Sequence, residues 1–221
     1  MNVQWLGRIS HGDALALQER IVARKADDVS VPDELLLLEH DSVFTIGRTP
    51  DQSSLRDPAA LPAPVVFTNR GGQATWHGPG QLVGYPLLDL RRQGSDLHRY
   101  LRTLEEFIIA VCGDFGVSAC RRDGLTGVWV EERKIASLGV GVRRWISMHG
   151  FALNVCGPLD GFAHITPCGI SGVAMTSLER EGAAGATVKC VAEKVAEMFP
   201  TFLAGLFWPA RSASDVIEGG A

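Results

Sequence analysis

The chain has 221 residues, of which 46% are hydrophobic, and a formal net charge of −4 at pH 7. This length and composition allow one substantial core and favour one large domain. No block of like charges is present, so we expect no nucleic-acid partner. The sequence contains no run of eighteen uncharged apolar residues, and its first residues show no leader pattern. We therefore expect no membrane association and a cytoplasmic location.

The first third of the chain predicts four strands, one helix and one loop. The strands are at residues 2–9, 35–38, 43–46 and 65–67. Residues 10–13, Ser-His-Gly-Asp, resemble a capping box that opens an amphipathic helix through about residue 26. We expect the second and third strands to form a pair around residues 40–42. The stretch 49–64 is rich in Pro, Asp and Ser and predicts a surface loop.

A glycine-rich segment then follows at residues 70–81, RGGQATWHGPGQ. It holds four glycines, one arginine, one histidine and two glutamines between two apolar runs. Glycine is favoured where the backbone takes a positive φ or where a ligand approaches it closely. The segment therefore predicts a binding loop rather than a piece of the core.

The remaining sequence predicts an alternation of strands and helices. We expect a strand at 82–90, a helix from Ser95, β-rich runs at 127–131, 134–142 and 145–155, and a helix at 187–199. Short hairpin turns between the three β-rich runs imply antiparallel pairing, and residues 156–186 form a long irregular loop. The sum is an α/β fold with a mixed, mainly antiparallel sheet flanked by helices. We expect one domain over residues 1–208 and a flexible tail at 209–221.

Five cysteines are widely spaced and form no C-x-x-C pair, at positions 112, 120, 156, 168 and 190. This pattern fits neither a disulfide framework nor a zinc knuckle, so we expect reduced thiols. No set of His, Cys, Asp and Glu has metal-ligand spacing, and we predict neither a metal nor a cofactor.

Cys168 differs from the other cysteines because it lies in an irregular loop, whereas they occupy apolar patterns or strand ends and suit packing. On local sequence alone, it is either a nucleophile or a tolerated loop thiol. A nucleophile needs an activating partner, and Lys134 is the candidate, since it shares strand parity with apolar residues. The alternative is a lysine at a strand start that extends to water.

His77 and His149 are candidate bases, because imidazole is the usual base for a thiol. Either could equally be a satisfied structural histidine, and His149 is kept as a candidate supporting residue. We assign structural roles to the other histidines, at positions 11, 40, 98 and 164.

Seven motifs complete the pattern. They are LLEH at 37–40, TIGR at 45–48, RGGQATWHGPGQLVGYP at 70–86, GVWV at 127–130, RKIASLG at 133–139, MHGFALNV at 148–155 and PCG at 167–169. In this order they closely resemble the octanoyltransferases, also called lipoyl(octanoyl) transferases, of lipoate biosynthesis. The resemblance spans roughly residues 35 to 180.

The resemblance implies a fold shared with the catalytic domains of biotin and lipoate protein ligases. It implies transfer of an octanoyl group from octanoyl acyl carrier protein to a lysine of lipoyl domains, in 2-oxoacid dehydrogenase complexes and in the glycine cleavage H protein. Cys168 matches the acyl-thioester nucleophile and Lys134 the lysine that activates it. The substrate-binding positions are Arg70, Gly71, Gly72, Gln73, Ala74, Thr75, Trp76, His77, Ser137, Leu138, Gly139, Gly150, Phe151 and Ala152.

An acyl chain needs an apolar slot. We expect Trp76, Leu138 and Phe151 to wall it, with three glycines keeping it open, Gly71, Gly72 and Gly150. The resemblance implies protein partners that are acidic, and an acidic partner requires a local basic patch on this chain. The candidates for this patch are Arg121, Arg122, Arg143 and Arg144. The alternative is that these arginines are solvated charges at strand ends. Rival functions are an ATP-dependent lipoate protein ligase, a non-catalytic acyl-binding protein and a cysteine hydrolase.

Overall fold

The computed structural model describes residues 1–49, 51, 53–55, 61–166 and 173–205. Within these ranges, three α-helices are α1 (His11–Asp27), α2 (Leu97–Asp114) and α3 (Val188–Gly205). The strands are β1 (Asn2–Ile9), β2 (Glu34–His40), β3 (Val43–Ile46), β4 (Val65–Phe67), β5 (Ala74–His77), β6 (Gln81–Leu87), β7 (Val128–Val130), β8 (Arg133–Arg143), β9 (Ile146–Asn154) and β10 (Ala174–Met175).

The strands of the described ranges form two sheets. The larger sheet has the order β1-β2-β6-β9-β8-β10, and β7 also pairs with β8. Its β1–β2 and β8–β10 pairs are parallel and the others are antiparallel. The smaller sheet places β3 between β4 and β5. The predicted α/β fold with a mixed, mainly antiparallel sheet is confirmed.

Helices cover both faces of the larger sheet. On one face, α2 and α3 meet the sheet through a large apolar cluster, in which the rings of Phe107 and Phe199 lie 4.8 Å apart between centroids. On the other face, α1 packs through Ala14 and Val22. A third cluster forms around Trp76 under the smaller sheet. Burial on both faces explains why the central strands are almost continuously apolar.

The capping residues set the helix starts. The Ser10 hydroxyl accepts from the Asp13 backbone N–H at 3.1 Å, which confirms the predicted start of α1. The helix predicted from Ser95 begins two residues later, because the Asp96 carboxylate caps it by accepting from the Arg99 backbone N–H at 2.9 Å. Ser95 itself has a φ of 54°, outside the helical region.

The predicted pairing of the strands on either side of residues 40–42 is wrong. β2 pairs with β1 and β6 in the larger sheet, whereas β3 pairs with β4 and β5 in the smaller one. Both strands are almost entirely buried, so each needs two strand neighbours and covered faces that a single hairpin does not supply. The short link at Asp41 and Ser42 therefore carries the chain from one sheet to the other.

The later elements match the predicted pattern apart from four differences. The tight turn between β8 and β9 has positive φ at Arg144 and Trp145, as in the two-residue turns that favour hairpins, and the predicted antiparallel pairing is confirmed. Strands β5 and β10 were not predicted, and β6 ends at Leu87 rather than Leu90. Helix α3 continues through Pro200 to Gly205, beyond the predicted end at residue 199. The predicted tail lies outside the described residues, so the single domain over 1–208 stays a prediction. None of the described helices is long and apolar enough to span a membrane.

Candidate active site

A cavity of about 490 Å³ opens beside strands β8 and β9. One wall is the glycine-rich segment at residues 70–75, and another is formed by residues 137–140 and 149–152 of the two strands. Helix α2 contributes Leu97 and Leu101. The fold therefore brings together segments that are far apart in the sequence.

Nearly all the predicted site residues within the described ranges line this cavity. They are Lys134, Arg70, Gly71, Gly72, Gln73, Ala74, Thr75, His77, Ser137, Leu138, Gly139, His149, Gly150, Phe151 and Ala152. Trp76 is the exception. It pairs with Phe44 across the smaller sheet, and its ring lies 5.4 Å from that of Phe162. The Trp76 side chain therefore points into the separate apolar cluster under the smaller sheet, and the structure does not bring it to the predicted acyl slot.

The glycine-rich segment is fastened to both sheets. The Gly71 N–H donates to the Val140 carbonyl at 2.8 Å. The buried Arg70 guanidinium donates to the Thr45 carbonyl at 2.6 Å and to the Gly71 carbonyl at 2.9 Å. A side chain at Gly47 would place its Cβ 2.1 Å from the Gly72 carbonyl oxygen. These contacts hold the segment as a rigid wall.

The expected role of Gly150 in keeping the acyl slot open needs correction. A Cβ at Gly150 would lie 2.3 Å from the Gly84 carbonyl oxygen and 2.6 Å from Pro86 Cδ, so it points at β6. Gly150 lines the cavity through its backbone and is needed for close packing of β6 and β9. Gly84 has a related role, since its missing side chain leaves space for the Phe151 ring.

Lys134 is buried, with 1% of its surface exposed, so the alternative in which it extends to water is wrong. Its Nζ donates to the Thr126 carbonyl at 2.9 Å and lies 5.4 Å from the centroid of the Trp129 ring. Gly127 has a φ of 133°, and a Cβ there would lie 2.5 Å from Lys134 Cε. Glycine at position 127 therefore makes room for the lysine.

Cys168 and its neighbours Pro167 and Gly169 lie outside the described residues. The described chain resumes at Val173 and leads into β10, in which Met175 pairs with Lys134. The Thr176 N–H donates to the Lys134 carbonyl at 2.9 Å. Met175 and Thr176 therefore lie beside Lys134.

The four cysteines within the described ranges are free thiols. Burial raises the pKa of Cys112 to about 12. Burial, together with the carboxylates of Glu179 and Glu39, raises the pKa of Cys156. A raised pKa lowers the thiolate fraction, which suits the packing roles predicted for these two residues.

His149 lies at the other end of the cavity from Lys134. It pairs with Val140 of β8, six residues along the strand from Lys134, or roughly 20 Å at about 3.3 Å per residue. Burial, and then the nearby Arg70 charge, lower the pKa of His149 to about 4. The structure does not bring this imidazole to the lysine, and its supporting role stays a prediction.

Sequence reasoning missed a group of buried polar residues around His149. Two of them line the cavity, His11 and Tyr85. Behind them, His40 Nδ1 lies 2.9 Å from the Ile9 carbonyl, and its Nε2 lies 2.8 Å from the Tyr85 hydroxyl. Since the carbonyl can only accept, Nδ1 carries the proton and Tyr85 donates to Nε2. No local signal links these residues, because the sheet brings them together.

The histidines of this group share an electrostatic environment. Burial lowers the pKa of His11 to about 4 and that of His77 well below its usual value. The neighbouring His40 and Arg70 add to both effects. These imidazoles are therefore neutral at pH 7. Among the described residues, no group of three or more His, Cys, Asp and Glu could hold a metal ion.

The fold and the cavity place the chain in a known structural class. Residues 10–200 match the family model of the lipoyl protein ligase A/B catalytic domain. The fold is similar to that of lipoate-protein ligase A bound with ATP, with a TM-score of 0.74 and 15% identity over 92% of this chain and 86% of that one. It also resembles biotin protein ligase from Aquifex aeolicus, with a TM-score of 0.58 and 16% identity over 95% and 73% of the two chains. The predicted fold, shared with the catalytic domains of lipoate and biotin protein ligases, is confirmed.

Sequence comparison gives the family within that class. The chain is 50% identical to the octanoyltransferase of Geobacter sulfurreducens over 199 residues, which are 90% of this chain and 83% of that relative. It is 50% identical to the octanoyltransferase of Geobacter metallireducens over 203 residues, which are 92% and 93% of the two chains. The chain belongs to the octanoyltransferase family, a family of acyltransferases.

Proposed function

We propose that this protein transfers an octanoyl group from octanoyl acyl carrier protein to a specific lysine of lipoyl domains, through an acyl thioester on Cys168. The reaction is the first step of endogenous protein lipoylation. The observation that carries the proposal is a buried lysine, Lys134, in a cavity whose other walls include apolar side chains. Family membership supports acyl transfer, and the resemblance supplies the donor and the acceptors, the 2-oxoacid dehydrogenase complexes and the glycine cleavage H protein.

In the first half-reaction, the Cys168 thiolate attacks the carbonyl carbon of the octanoyl thioester. A new C–S bond forms to Cys168 and the C–S bond to the pantetheine arm breaks. The departing pantetheine sulfur takes a proton, for which the Lys134 ammonium is the donor. The products are octanoyl-Cys168 and the free carrier-protein thiol.

In the second half-reaction, the amine of the acceptor lysine attacks the same carbonyl carbon. An amide bond forms, the C–S bond to Cys168 breaks, and Lys134 accepts the proton that the amine loses. The Cys168 thiolate and the Lys134 ammonium are thereby restored. Neither half-reaction uses ATP or a metal ion.

Proton transfer is the main contribution that we assign to Lys134. Lowering a thiol pKa from about 8.5 to about 6.5 increases its thiolate fraction at pH 7 about 25-fold, but the accompanying loss of nucleophilicity cancels about eightfold of that gain. A positioned acid or base contributes about 10² to 10⁴ in rate. The hydrogen bond to Thr126 and the ring of Trp129 fix the position of Nζ for this role.

The acyl chain has apolar surface available next to Lys134. Leu138 and Phe151 project from β8 and β9, and Leu97, Leu101 and Leu125 lie around them in the cavity wall. Burial of each methylene stabilises a bound chain by roughly 0.8 kcal/mol. This surface replaces the contribution that the sequence assigned to Trp76.

The test is intact mass spectrometry after brief incubation with octanoyl acyl carrier protein, followed by addition of an apo lipoyl domain. We expect a hydroxylamine-labile octanoyl adduct on the wild-type chain, absent from Cys168→Ser and passed on to the lipoyl domain. Modification of the lipoyl domain only with ATP and free acid would instead indicate a ligase. Release of free octanoate with no acceptor modified would indicate a hydrolase, and binding without any product an acyl-binding protein.

A second variant separates the lysine from the cysteine. Lys134→Met keeps a linear apolar side chain in the buried site but removes the proton carrier. We expect kcat to fall by about 10² to 10⁴ while the thermal unfolding midpoint shows that the chain remains folded. Turnover within a few-fold of wild type would exclude Lys134 as the acid and base.

A further inference from the structure

Glu105 of helix α2 is a carboxylate enclosed within the fold. The residue is fully buried, although it lies in the middle of an 18-residue helix. Its Oε2 accepts from Arg102 Nη1 at 2.6 Å, and the Arg102 side chain is about half exposed. Burial of a charge is costly unless the charge is paired and hydrogen-bonded, so a carboxylate at this position calls for an explanation.

The second oxygen of Glu105 reaches the peptide unit between Thr126 and Gly127. Oε1 accepts from the Gly127 N–H at 2.9 Å, and this hydrogen bond is buried. The carbonyl of the same peptide unit is that of Thr126, which accepts from Lys134 Nζ at 2.9 Å. Because a trans peptide unit is planar, its N–H and its C=O point in opposite directions. The unit therefore lies between the carboxylate and the ammonium, as the link in a hydrogen-bonded chain.

This chain couples two opposite charges that are not in direct contact. Two hydrogen bonds of 2.9 Å and one peptide unit separate Glu105 Oε1 from Lys134 Nζ by at most roughly 8 Å. A carboxylate at the N–H end polarises the peptide unit and makes its carbonyl a stronger acceptor. Because both charged groups are buried, their attraction is screened less than it would be at the surface. Both effects favour a positive charge at Nζ.

We infer that Glu105 positions Lys134 Nζ through the Thr126–Gly127 peptide unit and stabilises the positive charge that Nζ gains from the acceptor amine. This inference rests on the proposed function, in which Lys134 accepts that proton as the amide bond forms. Glu105 is not among the residues that line the cavity, so it acts through the peptide unit and not on the substrate. It is a positioning residue for the lysine, and its negative charge is the part that a neutral side chain would not replace.

Two other ion pairs with a buried member have no connection to the cavity. Lys25 pairs with Asp33 at 2.7 Å, and Glu34 pairs with Arg24 at 2.8 Å. These pairs fasten α1 to residues 33 and 34 at the start of β2, and none of the four residues lines the cavity. Glu105 differs from them because one of its oxygens bonds a peptide unit that also bonds the lysine of the site.

The test removes the charge of Glu105 and keeps its shape. In Glu105→Gln the amide oxygen can still accept from the Gly127 N–H, but the negative charge is gone. Octanoyl-enzyme is first formed with the octanoyl thioester of 4-nitrothiophenol, because a thiol of lower pKa leaves faster and its thiolate needs no proton. Transfer to an apo lipoyl domain is then followed by rapid-quench mass spectrometry. We expect the transfer rate constant to fall about 10- to 100-fold, with KM for the lipoyl domain within about twofold of wild type.

Glu106→Gln is the matched control for Glu105→Gln. Glu106 is the next residue on α2, its side chain is about half exposed, and it pairs with Arg121 at 3.0 Å. This variant should keep the wild-type transfer rate. The thermal unfolding midpoint of each variant shows that the chain remains folded.

Two readouts separate an effect of charge from a structural effect. Hydroxylamine is a weakly basic nucleophile whose adduct loses its proton to water, so it cleaves octanoyl-enzyme without a positioned base. Its rate should stay within about threefold of wild type in Glu105→Gln, while transfer to the lipoyl domain falls. In the second readout, Glu105→Gln is combined with Lys134→Met in a double-mutant cycle. Because the charge acts through the lysine, the double variant should transfer no more slowly than Lys134→Met.

Each other outcome overturns the inference or the function beneath it. If Glu105→Gln transfers within about threefold of the wild-type rate, or slows hydroxylamine and the lipoyl domain equally, the charge is not used and the inference is wrong. A further loss of rate in the Lys134→Met background also overturns it. If wild type forms no octanoyl-enzyme, the proposed function fails and the inference falls with it. Where Glu105→Gln does not fold, a semisynthetic ester at the 126–127 linkage, which lacks the Gly127 N–H, decides the question by the same two rates.

Discussion

The two ends of the cavity handle buried polar groups in different ways. Around His149, the protein satisfies most of them itself: Arg70 is bonded to Thr45, Tyr85 to His40, and His77 Nδ1 lies 2.7 Å from Gln81 Oε1. Beside Lys134, the indole N–H of Trp129 has no hydrogen-bond partner within the part of the chain that the structure describes. Polar groups that are already satisfied make a rigid wall, whereas an unpaired buried donor leaves the lysine end less completely bonded.

The charges at the two ends follow the same division. Arg70 is a buried cation at the histidine end, and its charge helps to keep the pKa of His77 and of His149 low. A second positive charge there would be costly, so the imidazoles stay neutral. At the lysine end, the cation is held by a carbonyl and an aromatic ring. Proton transfer is therefore expected at Lys134 rather than at the histidines.

Among the variants that leave Lys134 itself in place, Gly127→Ala should have the largest effect, because position 127 is in contact with the Lys134 side chain. The new Cβ would lie 2.5 Å from Lys134 Cε, at a φ of 133° that L-residues rarely adopt. A displacement of about 1 Å at a catalytic group can reduce the rate about 100-fold, and we expect a loss of this size in kcat from steady-state kinetics.

Gly116→Ala is the matched control for Gly127→Ala. Gly116 also has a positive φ, of 76°, but no atom lies within 4 Å of a Cβ placed there. It should lose some stability and keep its kcat. Equal activity losses in the two variants would mean that backbone strain, rather than displacement of Lys134, is responsible.

Gly84→Ala tests the middle of the cavity, between the two ends. A Cβ at position 84 would lie 2.2 Å from Phe151 Cζ and force the ring toward the cavity. We expect unfolding free energy, measured by urea denaturation, to fall by up to about 3 kcal/mol from overpacking. Turnover of octanoyl groups should fall more than turnover of shorter acyl groups. An unchanged chain-length preference would mean that Phe151 does not bound the acyl slot.

The buried histidines around His149 should make the unfolding free energy depend on pH. The pKa of His11 is about 4 in the folded chain, below its usual value of 6.5, so the unfolded chain binds more protons between these pH values. Stability should therefore fall as pH drops below about 6.5 and continue to fall toward pH 4. His11 alone contributes a loss of about 2 kcal/mol between pH 7 and pH 5.

Two histidine variants show whether His11 causes that pH dependence. His11→Gln should reduce the stability loss between pH 7 and pH 5 by about 2 kcal/mol in urea unfolding series. His98→Gln changes an exposed histidine on α2 and should leave the loss as in wild type. A His11→Gln profile parallel to wild type would contradict the low pKa of His11 in the folded chain.

The sequence predicted much of this molecule wherever the signal was local. Capping at Ser10 and the positions of β7, β8 and β9 follow from short-range patterns. The separation of β2 and β3 into two sheets did not, because a two-residue link is compatible with either a hairpin or a change of sheet. Burial on both faces decided it, and burial depends on the rest of the chain.

The site divides in the same way. Lys134 and the glycine-rich segment were predicted from parity and composition, with the roles supplied by the resemblance. Trp76 was misplaced because the sequence does not show which face of β5 meets the cavity. Trp129 belongs to the quoted GVWV motif, but its contact with Lys134 depends on strand pairing across a register shift, which no local pattern reveals.

Arg122→Gln should have the smallest effect on kcat. It tests whether the position of Trp129 beside Lys134 depends on the arginine. The change removes a cation near the Trp129 ring and an ion pair with the exposed Glu132, which together contribute about 1 kcal/mol or less. Because the backbone hydrogen bonds with Cys120 still hold Trp129, kcat should stay within about twofold of wild type. Arg121→Gln is the matched control, since it breaks an exposed ion pair with Glu106.

The same pair of variants examines the predicted basic patch. Both arginines already pair with carboxylates, which reduces the charge they offer to an acidic partner. If they nevertheless dock the carrier protein, each variant should raise its apparent KM, and more so at low ionic strength, where exposed charges are least screened. An unchanged KM in both would assign them to solvated strand-end pairs. A large fall in kcat for Arg122→Gln alone would show that Trp129 depends on the guanidinium, and that its position is less rigid than the hydrogen-bonded strand implies.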